Sequence, residues 1–141
     1  MSEIIRWPVR IWIALFALNI SIVLAVGVAL SDTMILVLFF GLTILTIYSS
    51  LRTTLRIAVD QDYLRVGKAR IERKYISHTE FLDEPQMRKE RGALLNPKAY
   101  LALRFWIKTG IKVYISDERD PTPYWLISAR NGAAIKRYLD I

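Results

Sequence analysis

The side chains that could carry chemistry are few, and their spacing argues against most reactions. His78 is the only histidine, and the chain has no cysteine. Thiol nucleophiles, disulfides and zinc–thiolate sites are therefore excluded. The run Ser77-His78-Thr79-Glu80 has neither triad nor metal-ligand spacing. The six glycines are scattered and build no phosphate loop. Paired acids occur at Asp83-Glu84 and in Asp117-Glu118-Asp120. Two nearby carboxylates could act as acid and base or hold a cation, although acidic turns are more often simply solvated. The expectation is a non-catalytic chain without metal or cofactor. A lipid-modifying enzyme centred on Asp117 is the alternative that the acidic loop suggests.

Two further constellations point to binding. The formal net charge is +7, and eighteen of the twenty Lys and Arg residues lie beyond residue 51. Arg65, Lys68 and Arg70 are the core of this excess, with Arg73 and Lys74 close behind. A cationic side chain near an anionic leaflet gains about 1 kcal/mol. With Arg6, Arg10, Arg52 and Arg56 they make a candidate anionic-lipid contact. Nucleic acid would also accept a basic strand face, but a membrane tether argues against it. The second constellation is aromatic: Arg104, Trp106, Pro121, Pro123, Tyr124, Trp125 and Arg130. Arg104 and Trp106 are expected two apart on one face of a strand. They could form a cation–π or groove-lining cluster for a peptide or lipid; alternatively Trp125 fills the core. Pro121 and Pro123 fix φ and remove two backbone donors, so they hold an extended entry to the strand Tyr124–Ser128.

Residues 11–31 and 33–51 carry no charge. At ~1.5 Å rise per residue, each run matches the ~30 Å of a hydrocarbon core. Only Asp32 separates them, so a helical hairpin is expected in residues 1–52, with spans at about 8–30 and 33–51. Trp7, Trp12 and Tyr48 sit where interfacial aromatics belong, and Pro8 suits a first helical turn. Arg6, Arg10, Arg52 and Arg56 flank the spans while the turn holds only an acid, which places both termini in the cytoplasm. A cleaved signal peptide fits poorly, because the run is long, no small-x-small site follows and a second apolar run comes at once. A shallow re-entrant hairpin is the alternative that the short turn leaves open. Asn19 is the strongly polar residue of the first span. With Gly27 it is a candidate helix–helix contact, either inside the hairpin or with a partner helix.

Beyond the hairpin the period changes to that of strands. Residues 54–59 alternate Leu55, Ile57 and Val59 against Thr54, Arg56 and Ala58. Further strands are expected at 63–66, 69–76, 78–84, 100–107, 111–116 and 124–128, with Ile111, Val113 and Ile115 inward and Lys112, Tyr114 and Ser116 outward. Residues 85–98 read as a long loop with one helical turn. Lys108-Thr109-Gly110 reads as a hairpin connection using Gly110 at positive φ. Asn131 is a plausible helix N-cap, and Ala134, Ile135, Tyr138 and Leu139 share a face of the closing helix. The fold class is therefore an α+β membrane protein. A transmembrane hairpin precedes a small antiparallel barrel or sandwich, residues 53–141, with a C-terminal helix. This order is similar to the pleckstrin-homology-like layout, a likeness that fixes no function.

Residues 63–71 (YLRVGKARI), Pro97 with Ala99-Tyr100-Leu101, the Arg104-x-Trp106 pair, and Asp120-Pro-Thr-Pro-Tyr-Trp-Leu-Ile-Ser128 with Arg130 resemble an actinobacterial family described as domain of unknown function 3093. Asn96 stands where that pattern has Asp before proline. The resemblance implies a cytoplasmic-membrane protein with two N-terminal spans and supplies no catalytic residues. The functional expectation is a membrane-anchored cytoplasmic domain that binds a protein partner or anionic lipid. Its rival is an accessory subunit of a larger membrane complex, packing through Asn19 and the small residues Ala25, Gly27 and Ala29.

Overall fold

A computed structural model describes residues 1–140, and the chain divides into two units: Met1–Ile5 with Leu55 onward, and Arg6–Thr54.

The second unit is two helices, α1 (Val9–Gly27) and α2 (Asp32–Thr53). Both are long and apolar enough to cross a membrane, with a mean hydropathy of 2.2. Most of their apolar side chains are exposed, Leu24 and Val37 among them, while Asn19 and Ser50 are the buried residues. The contact between the helices is polar at its centre. Asn19 Nδ2 donates to Thr43 Oγ1 at 3.1 Å, and Thr43 Oγ1 donates back to Phe39 O within its own helix. Phe16 meets Phe39 edge-on at 6.0 Å. Near the turn, a Cβ on Gly27 would lie 3.5 Å from Ile35 Cδ1, an ordinary contact distance. At the other end the Trp7 indole donates to Thr53 Oγ1 at 2.7 Å.

The first unit holds two four-stranded sheets. Sheet A runs in order β1 (Ser2–Ile5), β2 (Leu55–Val59), β3 (Tyr63–Val66) and β4 (Ala69–Glu72), antiparallel throughout. Period-2 alternation buries Leu55, Ile57, Val59, Leu64, Val66 and Ile71 on its inner face. A tight turn at Gly67, with φ at +62°, joins β3 to β4. Sheet B runs β5 (Ile76–Leu82), β7 (Gly110–Ile115), β8 (Tyr124–Ser128) and β6 (Tyr100–Ala102). The Tyr100 hydroxyl reaches Val66 O of sheet A, and its ring lies 4.8 Å from that of Trp125. Helix α4 (Gly132–Leu139) packs on β5, β7 and β2.

The structure corrects the sequence expectation at seven places. The boundary at residue 52 misses β1: the first five residues belong to the sheet, and Ile5 pairs with Leu55. Residues 84–91 are a helix, α3, rather than loop; Asp83 accepts from Gln86 N, and the Gln86 side chain accepts from Asp83 N. The expected strand at 100–107 ends at Ala102, so Arg104 and Trp106 lie on a loop. That strand runs parallel to β8, so sheet B is mixed and no hairpin exists at 108–110. Gly110 has no positive φ; its Cβ would fall 2.5 Å from Ile127 O and 2.7 Å from Met87 Cε, so it is there for close approach. Lys112 is buried rather than outward, because α3 and its following loop cover that face of the sheet. On α4 the buried positions are Gly132 and Ile135, and Ala134 is exposed.

Candidate functional site

The outer face of sheet A is where the sequence-predicted cations meet. Side chains alternate across the sheet, so Arg56, Arg65 and Arg70 point away from the buried row. All three are exposed, as is Lys68 in the adjoining turn. The register places Arg65 directly opposite Arg70, with Ala58 as its other neighbour, while Arg56 lies opposite Ile4. Like charges facing each other across strands are destabilising. Among the described residues, no carboxylate pairs with any of these four cations. Arg70 is steadied instead on the Tyr63 ring, 5.5 Å from its centroid. The exposed Ile4 adds an apolar element beside Arg56.

Arg6, Arg10 and Arg52 belong to the helical unit and are exposed there. Arg52 Nε donates to the Tyr48 hydroxyl one helical turn back, at 2.8 Å. The four sheet cations are therefore a group in their own right within their unit.

At the β4 edge this face meets a cleft of about 230 Å³. Tyr63, Arg70, Glu72, Tyr75, Arg119 and Trp125 line it, together with Asp117 and Asp120. The loop 117–123 is built by its own aspartates. Asp117 Oδ1 accepts from Arg119 N at 3.0 Å, and Asp120 Oδ1 accepts from Thr122 N at 2.9 Å. Arg119 is pinned: its Nη2 donates to the Tyr75 hydroxyl at 2.7 Å and its Nε lies 3.3 Å from Asp117. The Arg119 backbone N–H, then its side chain, hold the Asp117 carboxyl below its ordinary value; the same pairing raises the Arg119 guanidinium. Lys74 is matched to Glu72, which raises the ammonium.

The aromatic constellation is divided by the structure. Trp125 and Tyr124 are both buried, on opposite faces of β8. Trp125 forms the cleft floor; Tyr124 packs with Leu82, Met87 and Leu126. Pro123 ends the extended entry, and its carbonyl accepts from Ile115 N at 3.1 Å, which fixes the register of β8 against β7. Pro121 is exposed two residues earlier. Arg104 N donates to Ser128 Oγ, and Arg104 Nη1 donates to Leu103 O. Trp106 is buried, whereas its neighbour Phe105 is 78% exposed. Arg130 is exposed, and its backbone N–H donates to Glu3 Oε1.

Sequence reasoning missed two polar structures. Glu3 of β1 accepts from the N–H groups of Arg130 and Asn131, so a carboxylate 128 residues away in the chain ties down the entry to α4, where the Asn131 side chain makes no capping hydrogen bond. Lys112 and Glu90 form a buried pair at 2.9 Å, with the ammonium 4.3 Å from the Tyr124 ring centroid. Period-2 alternation carries no signal for either, because both depend on partners brought together by tertiary structure.

His78 stacks on Tyr114 at 5.8 Å, and the described residues contain no group of acids, histidines and cysteines able to hold a metal. No curated protein and no solved structure matches the chain. Residues 1–139 match the family described as Protein of unknown function (DUF3093), and the chain belongs to that family.

Proposed function

We propose that this is a non-catalytic, membrane-anchored protein whose β unit lays the outer face of sheet A against anionic lipid. The observation that carries the reading is the Arg65–Arg70 pair, opposed across two strands with no carboxylate between them. An anion supplied from outside would relieve that repulsion and gain from both guanidiniums at once. Several further features support it. Arg56 and Lys68 extend the positive field, and Ile4 offers an apolar contact. The helices α1 and α2 expose an apolar surface far larger than a soluble monomer carries, which favours a bilayer around them. The arginines flanking the hairpin, Arg6, Arg10, Arg52 and Arg56, favour a cytoplasmic β unit in the cell membrane, where the anionic leaflet surface lies. The strand order followed by a closing helix keeps the pleckstrin-homology-like comparison in view as a likeness of layout.

Photo-crosslinking tests this directly. The full chain is placed in nanodiscs containing an anionic lipid with a photoreactive head group, and the labelled peptides are mapped. Crosslinks are expected in residues 55–72 and should fall sharply in an Arg56→Gln, Arg65→Gln, Arg70→Gln variant. Labelling confined to residues 6–54 would overturn the reading.

A further inference from the structure

The cleft beside Arg70 has a chemistry that a plain cationic face lacks. Its wall combines Arg70, open to a ligand, with Asp120, whose carboxylate pairs with no cation among the described residues. The other charges are already spoken for: Arg119 by Asp117 and Tyr75, Glu72 by Lys74. Asp120 Oδ1 is used by Thr122 N, which leaves the second oxygen as an acceptor. An ionised carboxylate only accepts hydrogen bonds. It repels a bare anion, but it rewards a hydroxyl donor placed next to one. The Arg70 guanidinium lies over the Tyr63 ring, 5.5 Å from its centroid, a cation–π contact that leaves its N–H groups open to a phosphate. The cleft of about 230 Å³ is several times the ~30 Å³ share of one water molecule, and Trp125 closes its floor.

We infer that this cleft binds the phosphate ester of a polyol, with Arg70 on the phosphate and Asp120 on a hydroxyl. The inference rests on the lipid-facing reading above, since Arg70 and Tyr63 belong to both the face and the cleft. Such a group can arrive as the head group of a phospholipid or as a free polyol phosphate. What it excludes is recognition by charge alone. Phosphatidic acid carries a phosphomonoester with more negative charge than the diester of phosphatidylglycerol, so charge alone would rank phosphatidic acid first. The glycerol hydroxyls reverse that order here.

The test exploits the absence of cysteine. A fluorophore is attached through Glu118→Cys at the loop tip, and the full chain is placed in neutral nanodiscs doped with increasing fractions of either lipid. Phosphatidylglycerol is expected to move the fluorescence at about a tenfold lower fraction than phosphatidic acid, one charge-assisted hydrogen bond. Asp120→Asn should collapse that preference, and Arg70→Gln should abolish both responses. Added glycerol 1-phosphate identifies the source: a response in neutral discs assigns a soluble ligand, and silence beside a phosphatidylglycerol response assigns the lipid. The inference is overturned if phosphatidic acid acts at an equal or lower fraction, if Asp120→Asn keeps the preference, or if no probe moves the fluorescence. Any of these outcomes leaves the photo-crosslinking of the face unaffected, so the two failures are separable.

Discussion

Lys112 shows how far one side chain can depart from a well-formed pattern. The alternation of residues 111–116 assigns it to solvent, yet it is buried beside Glu90 of α3 and against the rings of Tyr114 and Tyr124. Alternation separates faces, but it does not say which faces are covered. Removing one partner of a buried pair strands the other charge. Glu90→Ala is expected to destabilise the β unit by about 3 kcal/mol, whereas Glu90→Leu with Lys112→Met should be near neutral. Denaturant unfolding followed by tryptophan fluorescence measures both. Arg56, Arg65, Lys68 and Arg70 behave differently: period 2 in 55–66 and the turn at Gly67 are enough to place them on one exposed face from sequence alone. Their lack of carboxylate partners, and the acids that share Arg70's cleft, emerge only from the folded sheet.

At the level of elements, strands with clean alternation were legible and those defined by packing were not. β2, β3 and β8 fall within a residue of their expected positions. The strand expected at 100–107 shrinks to three residues, because Arg104 N turns aside to Ser128 Oγ and the chain leaves the sheet. Helix α3 hides in a charged stretch with little apolar periodicity, and its legible signal was the Asp83–Gln86 capping box. Gly110 is the joint between these elements. It lets α3's Met87 and the β8 backbone approach β7 closely. Gly110→Ala is expected to cost about 3 kcal/mol, the upper part of the range for overpacking. Shortening Met87 to Ala should not restore it, because Ile127 O stays 2.5 Å from the new Cβ. Thermal unfolding of the single and double variants decides the point; recovery in the double variant would place the clash on the side chain instead.

For the whole molecule, the apolar hairpin was plain in the composition, but its insertion point was not. β1 is a short strand at the very start, before the first span, and nothing local marks it as part of a sheet that resumes at Leu55. Its register shows that the helical unit is inserted between two paired strands, Ile5 opposite Leu55. Residues 6–54 should therefore be replaceable by a two-residue Asn-Gly turn, which suits an antiparallel connection. The resulting chain is expected to be water-soluble and to unfold cooperatively in denaturant. The most direct test of the central claim is co-sedimentation of this folded, hairpin-free chain with vesicles. The account predicts that it pellets with phosphatidylglycerol-containing vesicles at low salt, stays free of neutral ones, and is released near 1 M salt, where the screening length falls to about 3 Å. A folded chain that remains in the supernatant with anionic vesicles at low salt would contradict it.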